Sequence, residues 1–345
     1  MSDEHHDGGT PEQHEGAGVR AGRRPARTPS ARRAVEVLLL AALVAFPLVS
    51  QDLFVIDRVG RYLLYAVFAL SVDLIWGYGG LFTFGHAFFF GAGGYLIGIL
   101  TTREYLFLPV GLPVAMLLTV ALVAAFAFAM SWFVFSGRGA LRGVEFAVVT
   151  LAVAVVGQRV ANAGGDVTGG QNGILMTEGL GIGSLNLQSG RPFYWLAAAI
   201  LVCTYLGFRW FLASRTGLVL RGIRDNEDRV ELLGYSVPGV KRRAFVLSAA
   251  VAALAGAVFF TRQGIVSPTA VGVSASTLVL LWVVLGGRGT LLGPIIGAIL
   301  LPYLTAELSG TFLDTWLVVV GVILVAIIVL LPAGLFGFLD RGRKT

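Results

Sequence analysis

Apolar runs of bilayer-crossing length follow one another along this chain, each closed by a short polar or glycine-rich break. They predict helices at roughly 34–50, 61–77, 81–101, 107–136, 144–162, 193–212, 245–262, 268–287, 289–306 and 315–333. Several of these approach the ~20 residues that cross a hydrocarbon core. The predicted fold is all-α: a polytopic membrane helical bundle of about ten transmembrane segments, with 268–306 open to a second reading as a re-entrant hairpin. Residues 1–33 are polar, with acidic residues and histidines first and arginines after, and form a disordered tail with too little apolar surface to fold. The predicted transmembrane domain runs over 34–340, and 341–345 form a short basic tail. The arginines ahead of Ala34 make the first apolar run read as a signal anchor kept as a helix.

Charge placement supports this layout. With the arginine-rich tail on the cytoplasmic side, ten crossings put 137–143, 213–244 and 334–345 on that same side, and these hold most of the loop arginines and lysines. The long segment 163–192 falls opposite with Arg191 alone, as the positive-inside rule requires. Both termini are therefore expected in the cytoplasm.

Composition excludes other classes. Of 345 residues, 56% are in the AVILMFWYC set, 46 are glycine and 13% are charged, and the mean hydropathy is +0.80. A water-soluble enzyme would expose that material in large apolar patches. The net charge of +6 lies in loops without the basic-aromatic interleaving that stacks bases, so nucleic acid is not an expected partner. Cys203 is the single cysteine, and His86 is the one histidine outside the tail, so neither a disulfide nor a histidine-built metal site is expected in the bundle. There is no phosphate loop of the G-x-x-x-x-G-K-[ST] kind and no nucleophile elbow. The chain reads as a non-enzyme with no catalytic residues, no cofactor and no bound metal, and any ATP hydrolysis belongs to a separate chain.

Two glycine rows stand at helical spacing, Gly94 with Gly98 and Gly289 with Gly293 and Gly297. Read as one helix face each, they predict close helix–helix packing. Pro294 and Pro302 predict interruptions in the same region.

Five blocks, in order, carry a family resemblance. They are 76–95 (Trp76-Gly77-Tyr78-Gly79-Gly80 through Gly85-His86 to Tyr95), 141–150, 168–174, 216–227 and 285–294. Together they resemble permease subunits of the branched-chain amino acid and urea class of ABC importers. Details at 73–78, 223–227, 264–268 and 282–290 are most similar to the urea subtype, in its LivM-like second permease. Thr83, Phe84, Glu145 and Gly94 depart from the usual pattern.

The resemblance implies a bacterial plasma (inner) membrane permease with several partners: a homologous permease subunit in a heterodimer, two cytoplasmic ATPase subunits and an extracytoplasmic solute-binding protein. Urea is the solute it implies first, with branched-chain amino acids as the alternative and a stand-alone secondary transporter or channel as a competing class. Residues 213–243 are the expected ATPase-coupling loop, with Arg221, Arg224, Asp225, Glu227, Glu231 and Gly234 as its working residues. Polar residues within spans are costly in lipid and so are candidates for the translocation pathway: Thr83, His86, Glu145, Gln158, Asn162 and Ser276. His86 also reads as an inter-helix hydrogen-bond residue. Asp73 reads as a partner for an arginine on a neighbouring helix.

Overall fold

The computed structural model describes residues 29–102, 111–136, 143–176 and 190–311, with scattered positions at 179, 181–182, 185–186, 318, 321–322, 325, 329–330 and 334–336. Of the tail expected at 1–33, residues 1–28 lie outside the described residues and 29–33 begin α1; the tail expected at 341–345, residues 137–142 and most of the 315–333 span also lie outside them. By their contacts the residues divide into Met1–Ala41 and Ala42–Thr345, and the second unit holds everything that follows except the first part of α1.

The elements in order are α1 (Pro29–Val49), α2 (Leu53–Asp73), a π-helical segment (Leu74–Tyr78), α3 (His86–Thr101), α4 (Leu112–Phe135), α5 (Val144–Ala163) and the short turn α6 (Gly165–Thr168). The two-residue strands β1 (Ile174–Leu175), β2 (Gly181–Ile182) and β3 (Leu185–Asn186) come next, then α7 (Gly190–Ala213), α8 (Arg215–Asp225), α9 (Glu227–Leu232) and α10 (Val237–Gln263). Strand β4 (Ile265–Val266), α11 (Val273–Gly286) and α12 (Leu292–Thr311) complete the order. The protein is an all-α membrane bundle. Five described helices are long and apolar enough to cross a membrane: α4, α5, α7, α10 and α12. At 1.5 Å per residue, α3 and α11 reach only about 24 and 21 Å, short of a ~30 Å core.

Helix α2 is the hub. It runs antiparallel to α10, with Arg262 paired to Asp57 at one end and Ser248 Oγ donating to the Ser71 carbonyl near the other. It also runs antiparallel to α12, through Arg58–Glu307 at 3.1 Å and Asp73–Gly289 at the far end. Helices α3 and α10 lie side by side in one direction, with His86 near Ser248, Gly256 on the Phe90 carbonyl and Gly94 on the Phe260 ring. Phenylalanines seal this interface: Phe68, Phe90, Phe259 and Phe260 form a chain of ring contacts with centroids 4.5–5.6 Å apart. Strand β1 pairs antiparallel with β4, Ile174 opposite Val266 and Leu175 opposite Ile265, joining the segment after α5 to the entry of α11.

The structure corrects two expectations. Gly289 does not share a helix face with Gly293 and Gly297; it lies in the turn between α11 and α12, where Gly287, Gly289 and Leu291 all have positive φ. That left-handed run ends one helix before the next begins. The two prolines do not break α12. Pro294 sits in its first turn, where a missing N–H costs nothing, and Pro302 is carried inside a continuous helix. Helices α11 and α12 form a tight antiparallel hairpin, Gly286 against Gly293 and Trp282 against Gly297, in which α11 alone is too short to span.

Candidate functional site

The expected coupling loop folds as two short helices. Ser214 caps α8, its side chain accepting the Gly217 N–H at 3.3 Å, and Asn226 caps α9 by accepting the Arg229 N–H at 2.9 Å. Their apolar faces close over a small core of Ile223, Val230 and Val237 with Val219 and Val240 beside it. Three of the six predicted residues turn toward the bundle. Arg224 Nη1 donates to the Gly77 carbonyl at 2.6 Å, Arg221 stands 5.3 Å from the centroid of the Tyr78 ring, and Glu227 pairs with Lys241. Arg221 and Arg224 stay exposed despite these contacts, as do Asp225, Glu231 and Gly234. Just past them the chain presents an apolar tip, with Leu232 88% and Leu233 70% exposed and Tyr235 exposed beside them. Leu218 on α8 is exposed as well, so bare leucines stand among the charges of this helix pair. The string Glu231-Leu232-Leu233-Gly234 was visible in the sequence, but only the fold shows that Ile223 and Val230 point in while the two leucines point out.

The six pathway candidates fall into two groups. Thr83, His86 and Ser276 are wholly buried around the start of α3. Thr83 Oγ1 accepts the Gly85 N–H at 3.3 Å, Ser276 Oγ accepts the Ala87 N–H at 3.1 Å, and Thr150 Oγ1 accepts the Phe84 N–H at 3.3 Å. Side-chain oxygens from α5 and α11 thus satisfy the amides that a helix start leaves without partners. His86 Nε2 lies 2.9 Å from Ser248 Oγ, fixing α3 to α10. Ser276 and His86 thus bond across helices, while Thr83 bonds within its own loop. Glu145, Gln158 and Asn162 lie apart from them on α5. Glu145 is exposed in the first turn, Gln158 is half-buried against Gly272 ahead of α11, and Asn162 is half-buried at the far end. Arg159, which the sequence reading passed over, is exposed between them, and no hydrogen bond or ion pair engages it among the described residues.

The small-residue positions are filled by close neighbours. Gly94 faces the Phe260 ring, Gly98 faces Ile174 and Met176, Gly293 faces the Gly286 and Gly287 carbonyls, and Gly297 faces the Trp282 carbonyl. Asp73 pairs with backbone rather than an arginine side chain: its Oδ1 accepts the Gly289 N–H at 2.6 Å. Among the described residues no group of three His, Cys, Asp or Glu side chains gathers to hold a metal ion.

The model of the family described as branched-chain amino acid transport system, permease component, matches residues 55–328. The chain is 28% identical to the high-affinity branched-chain amino acid transport system permease protein LivM of Escherichia coli over 323 residues, 87% of this chain and 73% of the relative. It is 24% identical over 262 residues to a probable LivM of Methanocaldococcus jannaschii, 68% of this chain and 76% of the relative. A shorter match, 30% identity over 148 residues, links it to LivH of Escherichia coli, covering 41% of this chain and 47% of that protein. No solved structure matches. A polytopic helical bundle, a capped helix pair with an apolar tip, and a family match over most of that bundle agree, and this chain belongs to the permease family of the branched-chain amino acid class of ABC importers.

Proposed function

We propose that this chain is one of two homologous permease subunits forming the inner-membrane pathway of an ATP-driven importer, and that its solute is a branched-chain amino acid rather than urea. The observation that carries the reading is the extent of the likeness: it runs through nearly the whole bundle and leads to permeases named for branched-chain amino acids. The strings that suggest urea are short and lie at helix ends and turns, where the backbone sets residue choice as strongly as the solute does.

Arg159 supports the same choice. An amino acid zwitterion brings a carboxylate that a guanidinium matches, whereas urea, with two amino groups and a carbonyl, needs no fixed charge. Two ATPase subunits dock on the α8–α9 pair from the cytoplasm, the Leu232–Leu233 tip enters a groove on the ATPase, and a solute-binding protein delivers from the opposite face. Both termini are cytoplasmic in this arrangement, and the chain itself carries no cofactor.

Deleting the gene and measuring uptake of labelled leucine and labelled urea, with complementation by the wild-type and Arg159→Gln chains, tests the reading. Loss of leucine uptake with urea uptake intact, restored by the wild type, is the expected outcome. Selective loss of urea uptake would overturn the substrate while leaving the family in place.

A further inference from the structure

Three elements meet at the end of α2, and the meeting point is the π-helical segment Leu74–Tyr78. Such wider turns are rare and gather at working parts of proteins. From one side α8 grips it: Arg224 Nη1 donates to the Gly77 carbonyl at 2.6 Å, and Arg221 stands over the Tyr78 ring. From the other side the α11–α12 turn grips it: Asp73 Oδ1 accepts the Gly289 N–H at 2.6 Å, and Arg288 stands 5.6 Å from the centroid of the Trp76 ring.

The grips interlock without slack. A Cβ on Gly77 would collide with the Asp73 carboxylate and come 2.5 Å from the Gly289 nitrogen. A Cβ on Gly289 would stand 3.1 Å from the Gly77 carbonyl oxygen and 3.3 Å from Arg224 Nη1. Gly80 packs on the Arg224 stem, where a Cβ would come 2.8 Å from Cγ. Asp73 is wholly buried, with the Arg224 and Arg288 charges close enough to act on it.

We propose that Arg224 is a positioning residue for transport: it ties α8 to the π-helical segment and, through Asp73 and Gly289, to the α11–α12 turn, so that displacement of α8 moves α2 and the hairpin together. The inference rests on the reading that α8–α9 face the ATPases. A charge-assisted bond from a planar guanidinium to a carbonyl is short and directional, so it passes on a movement that a loose apolar contact would absorb. A coupling of this kind needs a rigid link between two separate sites.

The test uses the complete importer, with its partner permease and ATPases in proteoliposomes and its solute-binding protein inside the assay. The readout is labelled leucine imported per ATP hydrolysed. For Arg224→Met, import per ATP hydrolysed is expected to fall about tenfold or more, with Arg224→Lys between the two. An unchanged ratio in Arg224→Met overturns the proposal. Should Arg224→Met fail to assemble, Arg224→Lys decides: a lowered ratio supports the joint, and a wild-type ratio reduces Arg224 to a structural residue and overturns it. If the wild-type complex moves urea instead, the same ratio is taken with urea, so substrate and joint are judged separately. A wild-type complex that moves neither solute with ATP removes the transport reading and the joint with it.

Discussion

Lys241 and Glu227 form an ion pair across 14 positions of sequence, Nζ lying 2.7 and 2.8 Å from the two carboxylate oxygens, with the lysine 1% exposed. The pair locks α9 onto the first turns of α10, and the Phe135 ring, its centroid 5.7 Å away, covers the ammonium. Removing one partner leaves the other charge in a dry place, at a cost of roughly 3 kcal/mol. Glu227→Gln and Lys241→Met should each lower the thermal midpoint of the purified chain in detergent by several degrees, and the double variant by less than the sum of the two. Additive losses would show that the two charges do not depend on each other.

Two glycines predict opposite outcomes. Gly93 lies against Ala253 on α10 so closely that a methyl would overlap its carbonyl, whereas Gly207 on α7 has nothing within 4 Å. Gly93→Ala should separate α3 from α10 and sharply lower the yield of folded chain. Gly207→Ala should be neutral or stabilising by about 0.5–1 kcal/mol, because alanine is the better helix former. Fluorescence-detected size exclusion of both variants compares them directly, and a well-folded Gly93→Ala would refute the close approach.

The exposed tip yields a third prediction. Leu232→Asp with Leu233→Asp alters side chains that touch little of this chain, so insertion and stability should hold. Co-purification of the ATPase subunits and uptake should both fall about tenfold or more, since desolvated apolar anchors carry most of an interface's energy. Normal co-purification would move the docking surface elsewhere on α8–α9.

His86 and Ser248 supply a fourth. Ser248 Oγ bridges the Ser71 carbonyl and His86 Nε2 in a wholly buried site. Ser248→Ala strands the imidazole nitrogen at a cost of about 1–3 kcal/mol. It should lower the thermal midpoint while transport per folded molecule stays close to wild type and its pH profile does not shift. A changed pH profile with stability unaltered would instead make His86 part of the proton chemistry of transport.

Among the described residues the middle of each long apolar run was legible in the sequence, and its ends were not. The spans expected at 144–162 and 193–212 appear as Val144–Ala163 and Gly190–Ala213, where charges and glycines close the runs cleanly. Helices α2 and α10 begin about eight residues earlier than hydropathy suggests, at Leu53 and Val237. Asp57 and Arg58 in one, and Lys241 and Arg242 in the other, sit within helix yet read as loop. Their charges are engaged by Arg262, Glu307, Glu227 and Ser136, all distant in sequence. Conversely, 81–85 is apolar enough to read as span but is non-helical, its Gly85 and Phe84 amides bonded to the Thr83 and Thr150 hydroxyls, and α3 starts at His86. Gly289 falls at helical spacing with Gly293 by coincidence, and its neighbours' positive φ values were not visible in the residue pattern. Burial adds what a list of polar residues in apolar runs does not hold: Thr83, His86 and Ser276 are wholly buried and hydrogen-bonded around the start of α3.

The stitch between β1 and β4 divides the chain by how freely it can change. It is made of main-chain atoms, Ile174 with Val266 and Leu175 with Ile265, while the side chain of Leu175 is 72% exposed. Substitutions at Leu175 can alter what the surface presents without undoing the pairing that holds the entry of α11. The glycine contacts of α3 with α10 and of α11 with α12 admit no such drift, because there the side chain itself is what must be absent. Change is therefore cheap where the main chain does the holding and dear where a missing side chain does.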